Sequence, residues 1–218
     1  IGSYATNSDV TGSEYLAFQG VFSEEYSMYR IVIPYFNGRS DGDNLYMRFM
    51  SGDIASTALT IDAIAGTTGH VSGSSYRFMA LIDGSDDGTL EQSSRCEIDV
   101  INFIIFNNVD VNTASPAGGV RGFIDVWNPH KTKVWDEPTG SQIAVTKGSN
   151  YGPTISYDLF GYEQVTAAEA TSWTGTGYYN ATEDDDYFTG FVLWSENLGL
   201  LKGTTVHLLG LKLDLTTS

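Results

Sequence analysis

The sequence predicts an all-β protein: an antiparallel β-sandwich, jelly-roll-like, with one main domain. Three observations predict it. Short alternating or apolar runs recur along the chain, punctuated by Gly, Asn, Asp and Ser. No run of helical length carries apolar residues at spacings of three and four; the nearest, Ser51 to Ala65, is diluted by Gly, Thr and Ser. The composition suits strands and turns, with 24 Gly and 13 Tyr but only 5 Pro in 218 residues.

The elements follow in order. Glu14 to Phe22 is the first strand, closed by an acidic turn from Ser23 to Tyr26. Tyr29 to Phe36 is the second, and Pro34 marks an edge or a strand end. A loop from Asn37 to Asp43 leads to Leu45 to Met50, where Leu45, Met47 and Phe49 alternate with Tyr46 and Arg48. Ser75 to Asp83 is closed by Asp83-Gly84. Cys96 to Phe106 reads as one long, mostly apolar strand with a bulge. Gly119 to Trp127 ends at Asn128-Pro129, and Ile155 to Tyr162, Tyr187 to Trp194 and Thr204 to Leu215 complete the series. Residues 1–12 are polar and predict a connecting arm; 13–218 predict a single sandwich domain.

The net charge is −16, with 27 acidic residues against 11 Lys and Arg. Such a surface repels nucleic acid, whose binding rests largely on cations neutralising phosphates, and disfavours anionic membranes. The apolar stretch from Val100 to Phe106 is broken by Asn102 and is too short to span a bilayer. Cys96 is the single cysteine, so packing or association must replace disulfides. A start at Ile1 instead of Met fits a processed chain or a fragment.

Four patterns bear on chemistry. Glu97-Ile98-Asp99-Val100-Ile101-Asn102 resembles the Glu-x-Asp-x-x-Glu signature of laminarinase-type glycoside hydrolases. The resemblance implies a nucleophile at Glu97, but Asn102 stands where the acid/base Glu is needed, and an amide cannot protonate a leaving oxygen. The expectation is therefore a chain that is not an enzyme. Acidic clusters at Asp41 and Asp43 and at Asp184 and Asp186 are candidate Ca2+ ligands, without the full EF-hand order; no other cofactor is expected. His70, His130 and His207 lack zinc-ligand spacing. Trp173, Tyr178 and Tyr179 lie in a Gly- and Thr-rich segment predicted as a loop, where they form a candidate glycan platform or cap the sandwich.

A wider resemblance covers residues 14 to 212. Glu14 to Phe22, Tyr29-Arg30-Ile31-Val32-Ile33 and Asn44-Leu45-Tyr46-Met47-Arg48-Phe49 follow one another as in a domain of tailed-bacteriophage structural proteins. Gly122 to Pro129, Thr189 to Trp194 and Gly203 to Lys212 resemble its later strands in the same order. The resemblance implies a β-sandwich of a virion, exposed in a tail fibre or on the particle, usually oligomeric. It implies no catalytic residue. The chain departs from the pattern by insertions at Asp136 to Ser149 and Thr166 to Asp186, where recognition is expected.

The functional expectation is a non-enzymatic virion structural protein, extracellular, associating as a homotrimer and with other virion proteins, and binding a host surface glycan. A secreted carbohydrate-binding module is the alternative, and a laminarinase-type hydrolase the third reading. The first reading expects a flat apolar face on the monomer.

Overall fold

The computed structural model describes residues 2–6, 10–11, 14–23, 25–38, 42–50, 60–65, 76–86, 89–100, 102–109, 119–129, 151–164, 168–180, 188–197, 199–200 and 203–212. The strands in chain order are β1 (Gly2–Ala5), β2 (Val10–Thr11), β3 (Glu14–Gln19), β4 (Met28–Phe36), β5 (Asp43–Met50), β6 (Thr60–Ala65), β7 (Tyr76–Asp86) and β8 (Thr89–Val100). They continue with β9 (Phe103–Val109), β10 (Val120–Trp127), β11 (Tyr151–Gln164), β12 (Ala168–Asn180), β13 (Gly190–Ser195), β14 (Gly199–Leu200) and β15 (Thr205–Leu211).

These strands form an antiparallel sandwich. The larger sheet has the order β1-β15-β4-β10-β11-β12-β7-β8, and the smaller β9-β5-β13-β3-β6. A single paired position, Glu163 with Val109, joins the two. β2 and β14 make a separate short ribbon. The chain crosses between the sheets repeatedly, which gives the jelly-roll-like character.

Period-two alternation builds the core between the sheets. From the larger sheet come Tyr29, Ile31 and Ile33, Ile124 and Val126, Tyr157 and Leu159, and Val206 and Leu208. The smaller sheet contributes Leu16, Phe18, Leu45, Met47, Phe49, Phe191 and Leu193. Phe18 stacks on Phe191 at 4.6 Å between ring centres, and Phe49 meets Phe103 edge-on at 5.8 Å. A second apolar cluster, with Tyr15, Val192 and Trp194, lies on the smaller sheet's other face, and the Arg48 guanidinium sits 4.9 Å from the Trp194 ring.

The structure departs from the sequence reading at four places. Within the N-terminal arm, Gly2–Ala5 pairs with β15 as the edge of the larger sheet. The weak helix candidate ends in β6, an edge strand paired with β3; residues 51–59 lie outside the described residues. The single strand expected from Cys96 to Phe106 is two strands in different sheets, with Asn102 in the bend between them. The segment read as a Gly- and Thr-rich loop is β12, a 13-residue strand.

The six motif-bearing strands fall together. β15, β4 and β10 are neighbours in the larger sheet, and β5, β13 and β3 are neighbours in the smaller. The hairpins β7–β8 and β11–β12 extend the larger sheet beyond β10.

Candidate functional site

Register determines what the outside of the larger sheet presents. One row across the strands reads Trp127, Thr154, Tyr178, Arg77. The next reads Asp125, Ser156, Thr176, Met79, Cys96. All these side chains point away from the core, because their strand neighbours Val126, Ile155, Tyr179 and Phe78 are buried inside it.

The outside is unusually apolar for a solvated face. Met79, Leu81, Ile98, Trp127, Phe160, Tyr178, Leu209 and Leu211 are the large exposed hydrophobics among the described residues. Every one of them stands on this face of this sheet, on β7, β8, β10, β11, β12 or β15. Among the described residues there, Arg30, Arg77 and Arg121 equal Asp83, Asp125 and Asp158 in number.

Part of this face forms a groove of about 460 Å³. That is within the range of small-ligand sites, roughly 300–1,000 Å³. Trp127 on β10 and Tyr178 on β12, 38% and 37% exposed, flank Thr154 on β11. Ser156 and Thr176 pair in the next row, and Met79, Cys96 and Ile98 line the groove on β7 and β8. Gly177 keeps the floor thin: its missing Cβ would lie 2.8 Å from the Phe103 ring in the core.

The charged groups are few. Arg77 Nη1 donates to Tyr178 Oη at 3.2 Å, with the guanidinium 5.9 Å from the ring centre. Glu97 is the single carboxylate among the described lining residues, and its Oε1 accepts from Arg95 Nε at 3.1 Å. Next to the groove, Arg30 grips Asp125 through two hydrogen bonds of 2.7 Å and lies 4.3 Å from the Phe123 ring centre. That bond holds the Arg30 guanidinium in its charged form.

The three aromatic residues singled out in the sequence separate. Tyr178 lines the groove. Trp173 is 1% exposed and packs on Phe106 inside the core. Tyr179 is buried too, edge-on to Tyr76 and Phe188 at 5.0 and 5.1 Å. The reason is strand alternation: residues 173, 177 and 179 point inward, and 174, 176 and 178 outward. Trp127 takes the place in the pair that Trp173 was expected to hold. Its signal was a strand-end aromatic before Asn-Pro, which does not reveal the facing direction.

Of the candidate cation ligands, Asp41, Asp184 and Asp186 lie outside the described residues. Asp43 is buried, and its carboxylate accepts from Ser195 Oγ, from Asn197 Nδ2 and from the Asn197 backbone N–H. It ties the start of β5 to the end of β13. No cluster of three His, Cys, Asp or Glu suited to a metal occurs among the described residues. The Glu97 to Asn102 signature does not lie along one strand: Glu97 is on β8, and Asn102 is buried beyond the strand's end.

Comparison with family models, with curated proteins and with solved structures finds no match for this chain.

Proposed function

We propose that the chain is a non-catalytic, glycan-recognising β-sandwich displayed on a tailed-phage particle, with its ligand in the outer groove of the larger sheet. The groove carries this reading. Trp127 and Tyr178 both pair with Thr154, so they stand two strand spacings apart, about 9.6 Å. Two exposed rings at that separation, with hydroxyls between them, suit an oligosaccharide laid across the strands. Its C–H faces meet the rings, and its hydroxyls exchange hydrogen bonds with Thr154, Ser156 and Thr176.

The non-catalytic part of the reading keeps to the sequence, where Asn102 stands in place of the acid/base Glu that glycoside hydrolysis ordinarily needs. The particle setting is supported by the motif order, since the six strands that carry it assemble into two sets of three neighbours, one set in each sheet. A secreted carbohydrate-binding module would use the same groove; detection of the protein in purified particles separates the two settings. The recognition reading is tested by screening the intact protein against a broad oligosaccharide array. Binding is expected, and uniform absence of binding would overturn it.

The extent of the apolar face favours a second reading, association of copies over it, as the expected homotrimer requires. Eight strands by four outward rows cover roughly 900 Å², comparable with the ~800 Å² per partner of a standard interface. Light scattering with and without saturating oligosaccharide separates the readings. An oligomer that ligand leaves intact keeps the groove outside the interface; an oligomer that ligand dissociates places them on the same surface.

A further inference from the structure

Resting on the glycan reading of the groove, we propose that its ligand is an extended chain of pyranoses joined through equatorial 1,4-linkages, lying across the strands with one sugar over each. Three observations lead to this.

The first is the direction of the groove. Its described lining comes from five neighbouring strands, β10, β11, β12, β7 and β8, but from at most three consecutive residues of any one of them. Four strand spacings make it about 19 Å long, and two residue steps make it about 7 Å wide. The long axis therefore crosses the strands. A slot of that shape suits a single linear chain better than a branched one.

The second is the spacing along that axis. Trp127 on β10 and Tyr178 on β12 share Thr154 of β11 as paired neighbour, so their Cα positions stand about 9.6 Å apart. Neighbouring strands repeat every ~4.8 Å, and an equatorially 1,4-linked pyranose advances its chain by close to that distance. One sugar then falls on Trp127, the next over the short side chain of Thr154, and the third on Tyr178.

The third is the face each sugar turns towards the sheet. Successive sugars in such a chain are turned over by close to half a turn, so the first and third present the same face and the middle one the opposite face. Along the row the protein presents a ring, a hydroxyl and a ring, with the hydroxyls of Ser156 and Thr176 paired in the next row. That alternation matches the chain, C–H faces on the rings and hydroxyls on hydroxyls. The twist of the sheet rotates β12 by roughly 40–50° relative to β10, which small turns at two linkages absorb. A 1,3-linkage, or an axial bond at C1, bends the chain and carries the third sugar off the row.

Chains of glucose, of mannose and of N-acetylglucosamine with equatorial 1,4-linkages share this geometry, and the test separates them. The tetrasaccharide of each is titrated into the intact protein beside laminaritetraose, which is β-1,3-linked, and maltotetraose, which has an axial bond at C1. At least one of the three is expected to bind roughly tenfold more tightly than both controls. For that sugar, the trisaccharide should bind roughly tenfold more tightly than the disaccharide, because only the longer chain reaches both rings. In Trp127→Ala and in Tyr178→Ala, with folding checked by thermal unfolding, this length preference should vanish while weak binding of the disaccharide remains. The linkage and length comparisons on the wild type decide the proposal even where a variant fails to fold. Equatorial 1,4-linked chains that bind no more tightly than the controls, or a disaccharide as tight as the trisaccharide, overturn it. Array binding confined to glycans of other linkages overturns it while leaving the glycan reading in place. An array without any binding overturns both.

Discussion

Tyr157 and Gly175 are directly opposed on β11 and β12, and the tyrosine ring fills the inward space of both. A Cβ at Gly175 would collide with that ring and lie 2.6 Å from the Met79 carbonyl oxygen. Gly175→Ala should therefore destabilise the fold by about 1–3 kcal/mol, the usual cost of overpacking. Urea unfolding measures it, and an unchanged midpoint would refute this packing.

The Tyr157 hydroxyl is buried and has no hydrogen-bond partner among the described residues. Burial raises its pKa well above the ordinary tyrosine value, as it does for Tyr76. Tyr157→Phe should leave stability at neutral pH unchanged or increased by up to about 1 kcal/mol. The alkaline arm has a definite sign. Above about pH 10 the unfolded chain releases its tyrosine protons while the folded chain retains them, so stability falls as pH rises. The variant should lose stability less steeply there, as read by denaturant midpoints from pH 8 to 11.

Asp43 is read as a hydrogen-bond anchor for Ser195 and Asn197. Asp43→Asn should cost about 1.5–3 kcal/mol, the scale of a hydrogen bond to a charged group. The loss should be the same in calcium and in EDTA. A penalty that appears only with calcium would make Asp43 a cation ligand.

Cys96 is exposed on the groove wall, opposite Met79. Maleimide should label it readily, and the adduct should block oligosaccharide binding at least tenfold. Bound oligosaccharide should slow labelling, and Cys96→Ser should bind normally. Mass spectrometry follows the labelling rate, and full binding by the adduct would remove Cys96 from the site.

The sandwich was legible in the sequence wherever apolar and polar residues alternate, as at Leu45, Met47 and Phe49. β12 was not, because its alternation is of another kind. Thr174, Thr176 and Tyr178 face out, while Gly175 and Gly177 face in beneath rings supplied by Tyr157 and Phe103. A strand whose core side chains belong to its neighbours looks like a loop when read alone. The division of Cys96 to Phe106 was hidden too, since both halves are strand-like and only the change of sheet at Asn102 separates them. The groove was half legible. Tyr178 was selected for its chemistry, but its pairing with Trp127 depends on the register of β10, β11 and β12, which brings together residues 51 positions apart.

The proposed site holds an oligosaccharide across Trp127 and Tyr178. Calorimetric titration of the strongest array ligand into the wild type, Trp127→Ala and Tyr178→Ala tests that placement. Each substitution should weaken binding roughly tenfold, about 1.4 kcal/mol, with the fold unchanged. Wild-type affinity in both variants would contradict the claim.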